Sequence, residues 1–355
     1  MKILKQHNEQ LFTGVSEDLR TSEEKNKDYQ HEEVYGMAGT PYIWKEFDET
    51  KIPQYTKRNQ NGSGMCGAFS GVKALGIVMK KLGGEYKDLL PPFIYQLRTN
   101  NSAGMNMNEL FQILCKKRAP LDINLIGDNL TETQANNFPI TNKMYKEALA
   151  IIDENYELKY AFINPKDLDE IARVIDDGWT PIILLRSDIS EWTSEPYQNP
   201  KFDNIGTYNI NHYNPLIYAG KKDYRRKFVS DDSWGSSYGK NGQRVIDESF
   251  MLNRVELVGY IYTVEKEKTK QKYNFNKALT YGMRENSDVK ALQDVLKYEN
   301  CMDKSIPSTG NYLNQTAQGV MKMQIKNKIA GIAEIESLQG KRVGSKTLAY
   351  LAKYS

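Results

Sequence analysis

The sequence has few of the residues that build disulfide frameworks and metal sites, with three cysteines and three histidines in 355 residues. Three thiols cannot form a disulfide framework, and no Cys/His cluster has the spacing of a zinc site. No run approaches the roughly 18–20 apolar residues of a membrane span. The first ten residues also lack the apolar stretch of a signal peptide. The sequence predicts no metal, no cofactor and no membrane partner.

Cys66 is the most informative of these scarce residues. The run 61–64 before it, Asn-Gly-Ser-Gly, is typical of a turn. After it, apolar residues recur at steps of three and four up to Leu82, and Gly83 and Gly84 follow. This spacing predicts a helix that begins at Cys66 and carries the sulfur at its exposed end. A helix N-terminus favours the thiolate, which is the nucleophilic form of cysteine.

A thiolate needs a basic partner, and His212 is the best placed of the three histidines. The other two lie in a polar N-terminal stretch, whereas His212 lies in a β-rich run that ends in a turn at 221–223. A second strand-like run, 227–230, follows and leads to Asp232. Two antiparallel strands would place Asp232 beside His212, where a carboxylate fixes the orientation of the imidazole.

Each of these residues has a simpler interpretation when it is taken alone. A lone cysteine is more often a small buried hydrophobe than a nucleophile. The run Asp232-Ser233-Trp234-Gly235 could be a turn with a tryptophan in the core. Their order along the chain, with Gln60 six positions before Cys66, favours an active site.

Gln60, Cys66, His212 and Asp232-Ser233-Trp234-Gly235 together resemble the active site of papain-like (C1 family) cysteine proteases. The separation of Cys66 and His212, 146 residues (212 − 66), is close to the spacing of about 130–150 in that class. The resemblance covers about residues 40–265. It implies an α+β, two-lobed fold, with a helical lobe and an antiparallel β-barrel-like lobe.

The resemblance also implies a role for each residue. Cys66 is then the nucleophile, His212 the general base and acid, and Asp232 the residue that orients His212. Gln60 and the backbone N–H of Cys66 would form the oxyanion hole, and Trp234 would shield the hydrogen bond between His212 and Asp232. The implied partner is a protein or peptide substrate.

The chain departs from the family at three positions. Gly67 stands where the family has tryptophan, Ser63 where it usually has a half-cystine, and Asp232 where it has asparagine. A carboxylate beside His212 raises the pKa of the imidazole by charge pairing. We interpret the departures as a variant of a working site.

The C-terminal sequence changes character after a charged run at 265–272. We expect three helices: one capped by Ser287 or Asp288, one over 317–325, and one after Thr347. The patterns Asp-Val-Lys-Ala-Leu-Gln at 288–293 and Thr-Gly-Asn-Tyr at 309–312 resemble small three-helix peptidoglycan-binding modules. From Lys268 onward there are 15 Lys and Arg against 7 Asp and Glu, a net charge of +8. Such a charge suits an anionic polymer such as a bacterial cell wall.

The simpler interpretation of this region is a helical bundle that docks on the protease domain. Nucleic acid is the weaker choice of partner, because no nucleic-acid-binding motif accompanies the charge. We therefore expect a polar arm or short pro-segment at 1–35, a papain-like domain at 36–265, a linker at 266–275, and a helical peptidoglycan-binding domain at 276–355.

The resulting hypothesis is a cysteine-type endopeptidase that is held near the bacterial cell wall. A wall-binding module without a signal peptide favours a phage or virion-associated protein, release by lysis, or another export route over a plain cytoplasmic location. Two alternatives remain open. The enzyme could cleave the stem peptides of peptidoglycan, or the chain could be a catalytically silent structural protein of a virion.

Overall fold

The computed structural model describes residues 15–16, 18, 20–25, 28, 42–99, 104–193, 210–266, 273, 275 and 277–354. His7 and His31, most of the expected N-terminal arm, and linker residues 267–272 lie outside the described residues. The chain divides into two compact units, Met1–Lys266 and Glu267–Ser355.

The described part of the first unit contains nine α-helices and six strands. The helices are α1 (Ser22–Lys25), α2 (Cys66–Lys81), α3 (Pro91–Gln96), α4 (Met107–Lys117), α5 (Glu132–Asn136), α6 (Asn142–Ala150), α7 (Leu168–Asp176), α8 (Ile189–Trp192) and α9 (Glu248–Arg254). The strands are β1 (Tyr156–Ile163), β2 (Ile182–Ser187), β3 (Ile210–Lys222), β4 (Arg225–Asp231), β5 (Gln243–Asp247) and β6 (Val255–Glu265). The mixed α+β class expected from the sequence is confirmed.

Helix α2 is the central helix of this unit. The sequence predicts one buried face, but every residue from Cys66 to Val78 is buried. Glycines allow this close packing, since a Cβ at Gly71 would lie 2.7 Å from Leu110 Cδ1 on α4, and one at Gly76 would lie 2.5 Å from the carbonyl of Lys87. The helix ends at Lys81, just before the glycine pair expected to stop it.

The strands form one antiparallel sheet in the order β1-β6-β2-β3-β4-β5. Its edges, β1 and β5, are not paired with each other, so the described strands do not close into a barrel.

The β3–β4 hairpin positions the residues of interest. Asp223 and Tyr224 form its turn with positive φ angles of 52° and 63°, as a tight hairpin turn requires. Strand β2 pairs with β3 on the other side, with Leu185 opposite His212. Strand β4 ends at Asp231, so Asp232 emerges next to the start of β3.

The described part of the second unit contains four helices and a two-stranded sheet. These are α10 (Ser287–Tyr298), α11 (Asn314–Lys326), α12 (Ile332–Leu338), α13 (Ser345–Leu351), β7 (Leu279–Thr280) and β8 (Arg342–Val343). The sequence predicted an all-α domain of three helices, so the fourth helix α12 and the small sheet were not predicted. The cap of α10 is Asn286, one residue before the expected Ser287 or Asp288, and its side chain accepts from the N–H groups of Asp288 and Val289. No helix in the described part of either unit is long and apolar enough to cross a membrane.

Candidate active site

Cys66 is the first residue of α2. The first intrahelical hydrogen bond runs from Phe69 N–H to the carbonyl of Met65, at 2.9 Å. The N–H groups of the first turn therefore lie at the end where the sulfur is, and they favour negative charge there. The sulfur was expected at an exposed helix end, but Cys66 is 0% exposed. A substrate can reach it only if a neighbouring segment moves.

His212 lies on β3, is 2% exposed, and connects Cys66 to Asp232. Its Nε2–H donates to Asp232 Oδ1 over 2.8 Å, because a carboxylate oxygen can only accept. The imidazole also hydrogen-bonds with the side chain of Cys66. Burial alone lowers the pKa of His212, but the Asp232 charge and the hydrogen bonds outweigh it and raise the pKa to about 9.

The carboxylate of Asp232 accepts four hydrogen bonds. Oδ1 accepts from His212 and from the backbone N–H of Ser233, at 2.8 and 2.7 Å. Oδ2 accepts from Trp192 Nε1 at 3.2 Å and from Arg244 Nε at 2.7 Å. Burial raises the pKa of Asp232, yet the charges of Arg244 and His212 hold it well below its usual range.

Two tryptophans surround the imidazole. The ring of Trp234 is 4.9 Å from that of His212 with the planes inclined by 40°, and Trp192 meets His212 edge-on at 6.1 Å. Trp234 follows Asp232 by two residues, and Trp192 is the last residue of α8, which follows β2. That Trp234 shields the hydrogen bond between His212 and Asp232 stays a prediction.

Gln60 is tied to the run that contains Asp232. Its backbone N–H donates to the carbonyl of Ser233 at 2.8 Å, and its side-chain oxygen accepts from Ser233 Oγ at 2.6 Å. The amide nitrogen donates one hydrogen to the carbonyl of Ser63 at 2.6 Å. A primary amide carries two hydrogens, so this bond uses half of its donor capacity.

The other two sequence departures have local explanations. A Cβ at Gly67 would lie 3.0 Å from Met105 Cγ and 3.2 Å from Tyr213 Cδ2, so these side chains occupy the space beside residue 67. Ser63 replaces a half-cystine and instead donates its hydroxyl to the carbonyl of Gln60 at 2.6 Å. A hydrogen bond thus closes the turn that precedes Cys66.

Sequence reasoning missed Trp192 and Arg244. Arg244 lies in β5, in the run Gln-Arg-Val-Ile-Asp, where a charged residue within a short strand usually faces solvent. The available signal was Asp232 itself, since a buried carboxylate in place of an amide needs an additional positive charge. The sequence does not reveal which of its 48 Lys and Arg residues supplies that charge.

A cavity of about 830 Å³ lies between the sheet and the N-terminal segment. Its wall includes Asn211 and Tyr213, which flank His212 on β3, and six residues of the arm (Val15, Ser16, Asp18, Arg20, Lys25 and Asp28), but none of Cys66, His212, Asp232 and Gln60. Within the arm, Arg20 bonds Asp18 and Asp28, and Ser16 N–H donates to the carbonyl of Met105 at 3.3 Å. Among the described residues, no group of three or more His, Cys, Asp or Glu could hold a metal ion.

Solved structures with a similar fold include cysteine proteases. Xylellain, a cysteine protease from Xylella fastidiosa, matches with a TM-score of 0.55 at 16% identity, over 72% of this chain and 97% of its own. Digestive procathepsin L2 from the larval midgut of Tenebrio molitor matches with a TM-score of 0.53 at 14% identity, over 71% and 78%. The fold is papain-like. Procathepsin L 3 from the same source gives a TM-score of 0.51 at 12% identity, over 72% and 78%.

No family model matches this sequence, and no curated protein matches it. At identities this low the structural likeness establishes the papain-like fold of the chain. The chemistry must be argued from the residues themselves.

Proposed function

We propose that this protein is a cysteine-type endopeptidase that uses Cys66, His212, Asp232 and Gln60. The observation that carries the proposal is the hydrogen-bonded series from Cys66 through His212 to Asp232, which begins at the N-terminus of a buried helix. A nucleophile, a base and a residue that orients the base are the three parts of a covalent hydrolytic site.

In the proposed mechanism, His212 holds a proton taken from Cys66, and the thiolate attacks the substrate carbonyl. The N–H of Cys66 and the second amide hydrogen of Gln60 stabilise the oxyanion. His212 then protonates the leaving amine, so the first product departs and an acyl-enzyme remains. Finally, His212 takes a proton from water, the resulting hydroxide attacks the thioester, and Cys66 is released as the thiolate.

The test is turnover of an unfolded protein substrate such as casein by the full chain. We expect Cys66→Ala to abolish cleavage, because the variant lacks the thiol that forms the proposed acyl-enzyme. Cys115→Ala is the matched control, since burial raises the pKa of that thiol to about 12 and keeps it protonated. Equal cleavage by wild type and Cys66→Ala would contradict the proposal, and no cleavage by the wild type would favour the silent structural protein.

The second part of the proposal is that unit Glu267–Ser355 binds peptidoglycan. Its support is the sequence pattern, the net charge of +8 from Lys268 onward, and a cavity of about 370 Å³ lined by both polar and apolar side chains. Gln293 of the first pattern donates to Thr316, and Gln324 donates to Thr347, each at 2.9 Å. Gln293 also lines the cavity, together with Thr309 and Asn311 of the second pattern. The pattern residues therefore both stabilise the unit and form part of the cavity wall.

Co-sedimentation with purified sacculi tests this binding. Tyr281 lines the cavity and is partly exposed, so we expect Tyr281→Ala to weaken sedimentation. Tyr298 is a similarly exposed tyrosine of the same unit outside that lining and is the matched control. Failure of the wild type to sediment would contradict the wall-binding proposal and leave the peptidase proposal intact.

Wall binding would also support a stem-peptide hydrolase, released by lysis or carried by a virion. Release of free amines from sacculi by wild type but not by Cys66→Ala would assign the substrate to peptidoglycan. Cleavage of casein without release from sacculi would assign it to protein.

We further propose that the N-terminal arm restricts access to Cys66. The support is the bond from Ser16 to Met105, whose side chain lies beside Gly67, the residue after the nucleophile. Ser16→Pro removes the N–H donor. We expect Cys66 to react about two- to threefold faster with a small alkylating reagent, because the loss of one weak hydrogen bond changes an equilibrium by about that factor. Ser16→Ala keeps the donor and should behave like wild type; equal rates in all three proteins would contradict this proposal.

A further inference from the structure

The surroundings of Asp232 match a carboxylate and do not match the asparagine of papain-like enzymes. Each of its oxygens faces two donors: His212 and Ser233 N–H on Oδ1, Trp192 and Arg244 on Oδ2. An asparagine would have to turn its NH₂ group toward one of these pairs of donors. Four donors around one side chain require an acceptor at both positions.

Arg244 is the charged member of this set and is itself 2% exposed. Nε donates to Asp232 Oδ2 over 2.7 Å, and Nη1 donates to the backbone carbonyl of Trp192 over 2.6 Å. The guanidinium also lies over the Trp192 ring, 4.7 Å from its centre. It is therefore fixed relative to both the carboxylate and the tryptophan that contacts His212.

Packing alone does not explain an arginine at this place. Its Nη2 is buried and has no hydrogen-bond partner in the described part of the chain. A buried ion pair with an unsatisfied donor is often no more stable than an apolar replacement. Its contact with Asp232 gives the residue another purpose.

The geometry points to Arg244 as a positioning residue of the active site: its guanidinium fixes and neutralises Asp232, so that a carboxylate can orient His212 where papain-like enzymes use asparagine. This inference rests on the proposed function. With Cys66 as thiolate and His212 as imidazolium, the thiolate and Asp232 carry two negative charges and the imidazolium and Arg244 carry two positive ones. The buried site is then neutral as a whole.

Two other charged groups near the pair, Asp231 and Glu191, have ion-pair partners of their own. Asp231, the preceding residue, bonds Lys57 and Lys73. Glu191, next to Trp192 on α8, bonds Arg254. Tyr238 lies 5.8 Å from the Arg244 guanidinium. Among the described residues, Arg244 is the cation that bonds Oδ2 of Asp232, the oxygen that does not contact His212.

The test measures the alkylation rate of Cys66 by iodoacetamide against pH, with adducts located by mass. In Arg244→Gln the pKa of Asp232 should rise, because its strongest attractive charge is lost. Protonated Asp232 no longer stabilises the imidazolium. The acid side of the curve of alkylation rate against pH should therefore move to higher pH by about one unit, so that the reaction at a given acidic pH is about tenfold slower. Near neutral pH the rate should change by no more than about threefold, since the carboxylate is ionised again.

Two further variants separate charge and position from general damage. Arg244→Lys keeps the charge and should keep most of the acid side. Arg254→Gln breaks a buried ion pair of the same kind, with Glu191, and should leave the profile unchanged in the folded protein. An Arg244→Gln profile that overlays wild type, equal shifts in Gln and Lys variants, or the same shift in Arg254→Gln would each overturn the inference.

A double-mutant cycle adds an independent test. Asp232→Asn leaves Arg244 unpaired and should slow alkylation strongly, whereas Asp232→Asn with Arg244→Gln gives the amide an acceptor and removes the unpaired charge. We expect the double variant to react about tenfold faster than Asp232→Asn; simple additivity would overturn the inference. If wild-type Cys66 is not labelled selectively at all, the proposed function fails, and this inference fails with it.

Discussion

Asp231 and Asp232 are adjacent, both buried carboxylates, and they point in opposite directions from the end of β4. Asp231 bonds Lys57 and Lys73, both at 2.8 Å, and so joins β4 to α2 and to the segment before Gln60. Asp232 bonds His212 and Arg244. Successive side chains of a strand point to opposite faces, so one carboxylate joins structural elements and the other lies in the candidate active site.

The difference lies in the partners rather than in burial. Asp231 bonds two lysines, Lys57 and Lys73. Asp232 holds one permanent cation and one histidine, whose charge can change during a reaction. The ion pairs of Asp232 can therefore change when His212 gains or loses a proton, whereas those of Asp231 join structural elements.

The largest expected effect is on the rate, at Asp232. Asp232→Asn should lower turnover by about 10³–10⁴-fold, because His212 loses its orienting carboxylate and meets a mismatched amide. Asp231→Asn should leave turnover per folded molecule within about threefold of wild type. Active-site titration of each variant, followed by casein cleavage, gives this comparison; equal losses would show that the two carboxylates do not differ in role.

The next effect is on stability, at Asp231. Asp231→Asn leaves two buried or half-buried lysines without a counter-charge and should lower the free energy of unfolding by about 3 kcal/mol. Combining it with Lys73→Met should restore part of this loss, because burial already disfavours the charged form of Lys73 and lowers its pKa. Urea unfolding measures both variants, and a double variant less stable than Asp231→Asn would contradict the assignment.

A third effect is the pH dependence of stability through His212. Its pKa rises from 6.5 unfolded to about 9 folded, so its stabilisation is complete below 6.5 and is lost as pH rises through 9. Such a shift is on the order of 3 kcal/mol. Asp232 acts oppositely, since its lowered pKa gives stability that is lost on acidification. Unfolding of His212→Gln between about pH 6 and 10 should lack the alkaline decrease of wild type; identical slopes would contradict the charge pairing.

The smallest effect concerns the two serines that flank the aspartates. Ser233 Oγ donates to the side-chain oxygen of Gln60. Ser233→Ala should therefore fix the orientation of the Gln60 amide less well, and lower kcat by about tenfold or less. Ser230 is the matched control, because its buried hydroxyl has no hydrogen-bond partner among the described residues. A larger loss in Ser230→Ala than in Ser233→Ala would contradict the role given to Gln60.

The sequence predicted the parts of the site that depend on local pattern. The spacing of apolar residues after Cys66 predicted a helix that begins there, and α2 does begin at Cys66. The turn between two strand-like runs predicted that Asp232 lies beside His212, and the two side chains are hydrogen-bonded. Both inferences rest on short-range geometry, which side-chain periodicity reports well.

The parts that sequence reasoning missed depend on tertiary packing. Trp192 and Arg244 come from separate elements, α8 and β5, and reach Asp232 only through the register of the sheet. The burial of Cys66 depends on neighbours outside its helix. The extra helix α12 carries Ile332, Ile335 and Leu338 at a spacing of three, but only Ile335 of these is buried, and sequence reasoning did not include this short helix.

Selective alkylation of Cys66 on the acid side of neutrality tests the central claim most directly. A free thiol has a pKa of about 8.5 and reacts slowly at about pH 5.5, whereas a thiolate paired with the His212 imidazolium reacts there at nearly its full rate. We predict that an epoxide-type thiol reagent modifies Cys66 at that pH, that Cys115 and Cys301 stay unmodified, and that His212→Gln abolishes the reaction. Labelling of all three cysteines at similar rates, or labelling of Cys66 that persists in His212→Gln, would contradict it.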